Sequence, residues 1–243
     1  MSNKAALIVG AGDATGGAIA KAFAREGFTA CVNRRARNVE QLEALAASIR
    51  SEGFEAQAYP GDARSEEEVV AMVDAIERDV GPIEVAVFNI GANVNFSVLE
   101  TTAQVYRKVW EMAAFAGFLM GREVAKRMVG RQRGTIIFTG ATASIRGGNG
   151  FSAFSGAKAS LRMLAQSMAR ELGPQNIHVA HVVIDGAIDT EFIRGLRPDF
   201  EAAKAADKLL SPEAIAAQYV TLQKQHRSAW THEMDLRPWA ETF

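Results

Sequence analysis

The feature that most constrains this chain is a buried strand that runs directly into a glycine-rich turn. Residues 5–9 form an uninterrupted apolar run, Ala-Ala-Leu-Ile-Val, and Gly10 ends it. A strand without polar alternation is typical of the centre of a parallel sheet, where helices cover both faces. A helical stretch at residues 18–26 follows the turn. This order predicts the first unit of a doubly wound α/β fold.

The rest of the chain continues to alternate short β-rich runs with longer helical runs. Such alternation predicts a single doubly wound domain with a mostly parallel, seven-stranded sheet. We expect the other strands at residues 29–33, 54–59, 84–88, 134–139, 177–184 and 231–236. We expect further helices at residues 39–50, 65–79, 102–129, 151–172 and 211–225. Ser65 followed by Glu68 predicts a capping box at the start of one of them.

The turn has the composition of a phosphate-binding loop, Gly-Ala-Gly-Asp-Ala-Thr-Gly-Gly at residues 10–17. Glycine allows a sharp turn and lets backbone N–H groups approach a pyrophosphate without an intervening Cβ. The following helix directs its positive N-terminal end at such an anion. The third glycine lies four residues after Gly12, one more than in the strict dinucleotide fingerprint. A strand-to-helix loop with purely conformational glycines is the alternative.

Composition argues against several other classes of function. The 27 basic and 28 acidic side chains nearly cancel, so we expect neither nucleic acid nor a membrane as partner. Cys31 is the only cysteine, which excludes an intrachain disulfide and favours a reducing compartment. The beginning of the chain lacks a secretory or transit pattern, and no apolar run is long enough to span a bilayer. We expect a cytoplasmic protein.

Two histidines invite a metal interpretation that strand geometry opposes. His178 and His181 are three residues apart in a predicted strand, so their side chains lie on opposite faces. We predict no metal site.

Sequence landmarks along the chain resemble the short-chain dehydrogenase/reductase family. After the glycine turn come Gly-Asp-Ala at 61–63, Asn-Ile-Gly-Ala at 89–92 and Phe-Ser-Gly-Ala-Lys at 154–158, in the order and spacing of that family. The likeness continues to about Thr190. The resemblance implies a Rossmann-type domain that binds a nicotinamide dinucleotide and acts as an oxidoreductase on a small molecule.

The resemblance also implies a set of cofactor contacts. Asp62 would bind the adenine edge, Lys158 the nicotinamide-ribose hydroxyls and Thr190 the carboxamide. A plain loop aspartate and a helix N-cap are the structural alternatives for the first and the last. The full set of expected cofactor-binding residues is Gly10, Gly12, Ala14, Thr15, Gly16, Asn33, Arg34, Asp62, Ala63, Asn89, Gly91, Lys158, Gly186, Ile188 and Thr190.

The end of the second predicted strand bears on the choice of cofactor. An acid there would accept hydrogen bonds from a free ribose 2′-hydroxyl and repel a 2′-phosphate. This chain has Asn33 in that place, followed by Arg34 and Arg35. Guanidinium groups bind phosphate in a bidentate manner, so we predict NADP(H) over NAD(H). A solvated basic turn is the alternative.

Three catalytic positions implied by the resemblance are changed. The family uses a Tyr with a Lys four residues later, a Ser thirteen residues before the Tyr, and an Asn on the preceding long helix. Lys158 is retained, whereas Phe154, Ala141 and Ala114 occupy the other positions. Phe and Ala neither donate a proton nor bind an oxyanion. We therefore predict a non-standard active site.

Three functions remain open at this point. The first is a reductase of an activated C=C or carbonyl group, and the second is a catalytically silent cofactor-binding protein with a sensing or scaffolding role. The third is a carbonyl reductase with substitute polar groups, for which the candidates are Thr142, Ser144, Arg146, Asn149, Ser152 and Asp185.

Two further expectations concern substrate access and assembly. Residues 191–210 fall where the resembling family carries its substrate lid. The helices predicted at 102–129 and 151–172 correspond to those that pair subunits in that family, so we expect a homo-oligomer, either a dimer or a tetramer.

Overall fold

Seven strands form one sheet, and every strand pairing in the described residues is parallel. The computed structural model describes residues 4–12 and 14–241. The strand order is β3-β2-β1-β4-β5-β6-β7. The strands are β1 Ala5–Val9, β2 Thr29–Arg34, β3 Ala56–Pro60, β4 Ile83–Phe88, β5 Gly134–Thr139, β6 Ile177–Ile184 and β7 Glu233–Leu236. The predicted α/β class is confirmed, and the sheet is wholly parallel where a mostly parallel one was expected.

Helices cover both faces of this sheet. They are α1 Thr15–Arg25, α2 Val39–Ser51, α3 Glu66–Asp79, α4 Ala103–Trp110, α5 Ala116–Arg131, α6 Ser152–Leu172, α7 Glu191–Leu196, α8 Phe200–Ala205 and α9 Pro212–Lys224. One apolar core joins the sheet to α3, α5 and α6, and the other joins it to α1, α2 and α9. Strand β1 is buried along its whole length between them, which explains its uninterrupted apolar sequence. No helix among the described residues has the length and apolarity needed to cross a bilayer.

The helix predicted over 102–129 is interrupted by a wide turn. Helices α4 and α5 are joined by a π-helical segment, Glu111–Phe115, so the chain contains one helical rod with a local bulge. Such bulges leave one residue more per turn and are frequent at functional sites. The apolar periodicity that predicts the helix does not report the extra residue.

The predicted capping box is half correct. Ser65 caps α3 by accepting a hydrogen bond from the backbone N–H of Glu68. The Glu68 carboxylate does not return to Ser65, because it accepts the backbone N–H of Asp62 at 2.9 Å. The glutamate therefore fixes the loop that follows β3, which lies beside the cavity described below.

The sheet divides between β1 and β4, which are adjacent and whose connections leave to opposite faces. Such a divergence opens a crevice at the carboxyl ends of the strands, where doubly wound proteins bind ligands. The backbone of the glycine turn closes the bottom of this crevice, since the N–H groups of Gly10 and Ala11 both donate to the carbonyl of Asn33. The Asn89 N–H donates to Val9 from the other side.

A matched pair of glycine substitutions tests this close approach. A Cβ on Gly16 would lie 2.5 Å from the Gly10 carbonyl oxygen, whereas one on the exposed helical Gly130 meets nothing within 4 Å. We expect Gly16→Ala to lower the free energy of unfolding by about 1–3 kcal/mol, as overpacking does. Gly130→Ala should raise it by roughly 0.5–1 kcal/mol. Urea unfolding measures both, and equal effects would contradict the packing described.

Candidate active site and cofactor cavity

A cavity of about 1500 Å³ occupies the crevice at the carboxyl ends of the strands. A second one of about 230 Å³ adjoins it at the ends of β2 and β3. The two share part of their lining, including Gly12 and Gly91. Each of the fifteen residues predicted to bind the cofactor lines one or both cavities. The fold therefore brings the predicted cofactor-binding residues together around these two adjoining cavities.

The glycines of the turn have different physical roles. Gly10 has φ +87°, and a Cβ there would lie 2.8 Å from the carbonyl group of Asn89. Gly16 lies equally close to the backbone of the turn. A Cβ on Gly12 or Gly91 would meet nothing within 4 Å, and both glycines line both cavities. A backbone left bare beside a helix N-terminus fits the pyrophosphate of a dinucleotide.

The smaller cavity is basic. Asn33 is 3% exposed, and its amide donates to the carbonyls of Tyr59 and Gly61 at 2.8 and 3.3 Å. This amide therefore holds the loop after β3. At the end of β2, the charged residues in the cavity wall are Arg34 and Arg35. Burial and the neighbouring guanidinium charges lower the pKa of Arg35, which indicates a positive local potential.

Arg64 adds to this charge and was missed in the sequence analysis. Its guanidinium donates hydrogen bonds to both carboxylate oxygens of Asp62 at 2.5–3.1 Å. This pairing holds the pKa of the Asp62 carboxyl below its usual range. Only its position two residues after Asp62 pointed to it. The pair gives the cavity wall one anionic and one cationic group. The Asp62 carboxylate still has lone pairs that can accept a hydrogen bond from a ligand.

Lys158 is buried at the boundary between the cavity and the sheet. Its Nζ donates to the carbonyls of Thr139, at 2.8 Å, and Ile90, at 3.0 Å; Thr139 ends β5, and Ile90 lies just after β4. Burial lowers the pKa of its ammonium group to about 7. Two of its donors thus fix the ends of two strands, and a third is available on the cavity side.

The wall beside Lys158 is apolar. Phe154, one helical turn before Lys158 on α6, is 8% exposed and lines the cavity with Ala141 and Phe151. Ala114 is also buried, but it is not among the residues that line the cavity. It lies in the π-helical segment between α4 and α5.

The polar candidates of the loop after β5 separate into two groups. Thr142 and Arg146 line the main cavity, whereas Ser144 is buried and its hydroxyl accepts the backbone N–H of Ala141. Asn149 and Ser152 are not among the lining residues. Of the five, two therefore reach the cavity.

Asp185, the sixth polar candidate, is not among the residues that line the main cavity, but it contacts Thr142 and Arg146, which are. It is 1% exposed and accepts a hydrogen bond from the Thr142 hydroxyl at 2.5 Å. The guanidinium groups of Arg146 and Arg237 lie 3.6 and 3.3 Å from its two oxygens.

On the far wall, Gly186, Ile188 and Thr190 all line the main cavity. The Thr190 hydroxyl also accepts the backbone N–H of Ile193 and caps α7. Thr190 therefore has the helix N-cap role that the sequence offered as its structural alternative. Its contact with a carboxamide stays a prediction.

Ser155 is a second residue that the sequence analysis missed. It lines the main cavity, and its buried hydroxyl has no hydrogen-bond partner among residues 4–12 and 14–241. Its helical spacing of three residues from Lys158 was the available signal, because it places both side chains on one face of α6.

The two strand histidines have structural roles. His178 stacks on Trp230 with ring centroids 4.9 Å apart, and its Nε2 contacts the Thr231 carbonyl. His181 is fully buried against Glu233, and burial lowers its pKa to about 4. The described part of the chain contains no group of three acidic, histidine or cysteine ligands that suits a metal ion.

The chain belongs to the short-chain dehydrogenase family, because the family model described as short chain dehydrogenase matches residues 4–201. The 2-dehydro-3-deoxy-D-gluconate 5-dehydrogenase of Formosa agariphila is 32% identical over 179 residues, 74% of this chain and 67% of the relative. The 5-keto-D-gluconate 5-reductase of Escherichia coli K12 is 28% identical over 199 residues, 82% and 77% of the two chains.

Solved structures agree with this assignment. A short-chain dehydrogenase from Rhodopseudomonas palustris is 48% identical, with a TM-score of 0.83, and covers 98% of this chain and 100% of that one. A metagenomic short-chain oxidoreductase in complex with NADP is 22% identical, with a TM-score of 0.80 and 98% of both chains covered, and shares the fold. The predictions of family and of an NAD(P)-dependent oxidoreductase are confirmed.

The low pKa of Lys158 predicts a specific pH dependence of stability. The folded-state pKa of about 7 lies below the ordinary 10.5, so the unfolded chain binds one more proton between these values. Stability supplied by this group is therefore full above pH 10.5 and is lost as pH falls towards 7. Relative to Lys158→Met, the wild type should gain up to about 1.4 kcal/mol per pH unit across this window. Denaturant unfolding of both proteins from pH 6.5 to 9.5 measures the difference, and a flat profile contradicts the burial described.

Proposed function

We propose that the protein is an NADP(H)-dependent reductase of a small molecule with an activated C=C or carbonyl group, working with a non-standard active site. The observation that carries the proposal is the junction of an intact dinucleotide cavity with an apolar wall. Lys158 lies at that junction, and Phe154 and Ala141 line the same cavity.

The basic end of the cavity supports NADP(H). Arg34, Arg35 and Arg64 line the small cavity at the ends of β2 and β3, and no acid ends β2. A 2′-phosphate would place its charge among these guanidinium groups, which suit phosphate geometry. The NADP bound by the metagenomic relative, and the NADPH bound by the similarly folded actinorhodin ketoreductase, agree with this choice.

The apolar wall favours a hydride acceptor that can stabilise its own developing negative charge. The bound nucleotide would supply a hydride. Phe154 and Ala141 offer neither a proton nor a hydrogen bond, so a simple ketone would leave an alkoxide without a partner in this wall. In a C=C conjugated to a carbonyl, the electron pair comes to rest on the acceptor's own oxygen, and solvent protonates the carbon. We therefore favour the conjugated acceptor.

Carbonyl reduction with substitute groups is the second candidate. It is supported by the hydroxyls of Thr142 and Ser155 in the cavity wall. It is also supported by the relatives, which are named as keto-acid and sugar-acid oxidoreductases.

We further propose that residues 191–210 are the substrate lid. Helices α7 and α8 lie in this segment, and Asp189 just before it pairs with Lys204 at 2.7 Å. Phe192, Arg194 and Lys204 line the main cavity, which supports a lid role for this segment.

Assembly into a homo-oligomer and a cytoplasmic location also remain predictions. An apolar face on α4, α5 and α6 supports assembly. Its exposed members are Tyr106, Trp110, Phe118 and Met163.

Restoring the missing hydroxyls tests the proposed catalytic wall. We expect Phe154→Tyr with Ala141→Ser to raise NADPH-dependent reduction of simple ketones by about 10²-fold or more, since a positioned general acid contributes that much. Phe192→Tyr with Ala141→Ser is the matched control, because it adds the same two hydroxyls but places the phenol on the lid. Steady-state kinetics compares them. Equal rates for the two double variants contradict the role assigned to position 154.

Replacing a basic residue tests the cofactor choice. Arg34→Ala should weaken NADPH binding about tenfold or more and leave NADH binding nearly unchanged, because only NADPH carries the 2′-phosphate. Nucleotide fluorescence titration gives both dissociation constants. Arg133→Ala, which removes a surface arginine paired with Glu84, controls for net charge. Equal weakening of the two nucleotides contradicts the assignment.

A further inference from the structure

The cations that line the main cavity differ in how far they are already neutralised. Three have acidic partners within hydrogen-bond distance: Lys21 with Glu52, Arg194 with Glu191, and Lys204 with Asp189, at 2.7–2.9 Å. Lys158 is committed to two backbone carbonyls. The remaining cation is Arg146.

Arg146 has a carboxylate behind it and an open cavity in front. Its Nη2 lies 3.6 Å from Asp185, beyond hydrogen-bond distance, and its guanidinium group donates no hydrogen bond to the described residues 4–12 and 14–241. Its side chain is 45% exposed and lines the cavity. The guanidinium fork therefore retains its donors for a ligand in the cavity.

Asp185 positions this arginine without neutralising it through hydrogen bonds. The buried carboxylate is held on one oxygen by the Thr142 hydroxyl and approached on the other by Arg237. The Thr142-bound oxygen is the one that lies 3.6 Å from Arg146, so the carboxylate stands directly behind the arginine.

The surface next to Arg146 defines the rest of the ligand. Ala141, Phe151 and Phe154 belong to one apolar cluster and line the cavity together with Arg146. The Phe151 ring reaches the loop that carries Arg146, because a Cβ on Gly148 would lie 3.2 Å from it. A flat unsaturated group packs against aromatic rings, while a carboxylate matches the guanidinium fork in a bidentate manner.

We propose that Arg146 determines specificity by binding the carboxylate of an unsaturated, mainly apolar acid, whose body lies against Phe151 and Phe154. The inference rests on the proposed function, for which it names the substrate class. It assigns to Arg146 an anion-binding role that a generic ketone or enone would not use.

The test uses trans-cinnamate and its neutral analogue cinnamamide as probes. Isothermal titration of the full chain, with and without saturating NADP⁺, should give about tenfold tighter binding of cinnamate, as expected for a charge-assisted bidentate contact. Arg146→Gln should abolish the preference and Arg146→Lys should retain part of it. Arg170→Gln removes an exposed arginine of α6 that hydrogen-bonds the Gln166 carbonyl and does not line the cavity, and it should keep the full preference.

The outcomes separate this inference from the proposed function. Equal binding of the two probes, absence of binding by both, or a preference that survives in Arg146→Gln would overturn the role of Arg146, even if NADPH-dependent reduction of cyclohexenone is observed. An Arg146-dependent preference without reduction of any acceptor would support the anion site and contradict the reductase function.

Discussion

The structure depends on the close approach of the glycine turn to the ends of β2 and β4. Gly10 and Ala11 donate to the Asn33 carbonyl, and Asn89 donates to Val9 and reaches the Gly10 carbonyl with its amide. This contact requires bare backbone, because a Cβ on Gly10 would collide with Asn89. It fixes the ends of three parallel strands at one edge, where both cavities open. The cofactor cavity is thus a consequence of backbone packing as much as of ligand-facing side chains.

The sequence predicted most of this arrangement because the relevant signals are local. The apolar run of β1 and the glycine spacing predicted the first unit, and family landmarks pointed to distant residues such as Asp62 and Thr190, which line the two adjoining cavities. The π-helical segment and the pairing of Glu68 with the Asp62 N–H were not predictable in this way. Both depend on contacts between elements that the periodicity of a single element does not encode.

The candidate site shows the same division. The sequence predicted Phe154 and Ala141 at positions where the resembling family carries hydroxyls, and both residues line the main cavity. The burial of Asp185 was not visible, because its place follows from the path of the chain after β6. The sequence alone does not distinguish Arg146 from other arginines in loops. Once the position of Asp185 is known, Arg146 stands out as a cavity-lining cation with a buried carboxylate beside it. This arrangement supports the anion-binding role that we propose for it.

Binding of a nicotinamide dinucleotide by the wild-type chain is the central claim, and a thermal-shift titration tests it most directly. A ligand that binds only the folded state stabilises it by about 2.7 kcal/mol at a hundredfold excess over its dissociation constant. We predict a clear rise of the melting temperature with NADPH and a smaller rise with NADH at equal concentration. No shift with either nucleotide would contradict the account, since it would mean that the glycine turn and the basic cavity hold no cofactor.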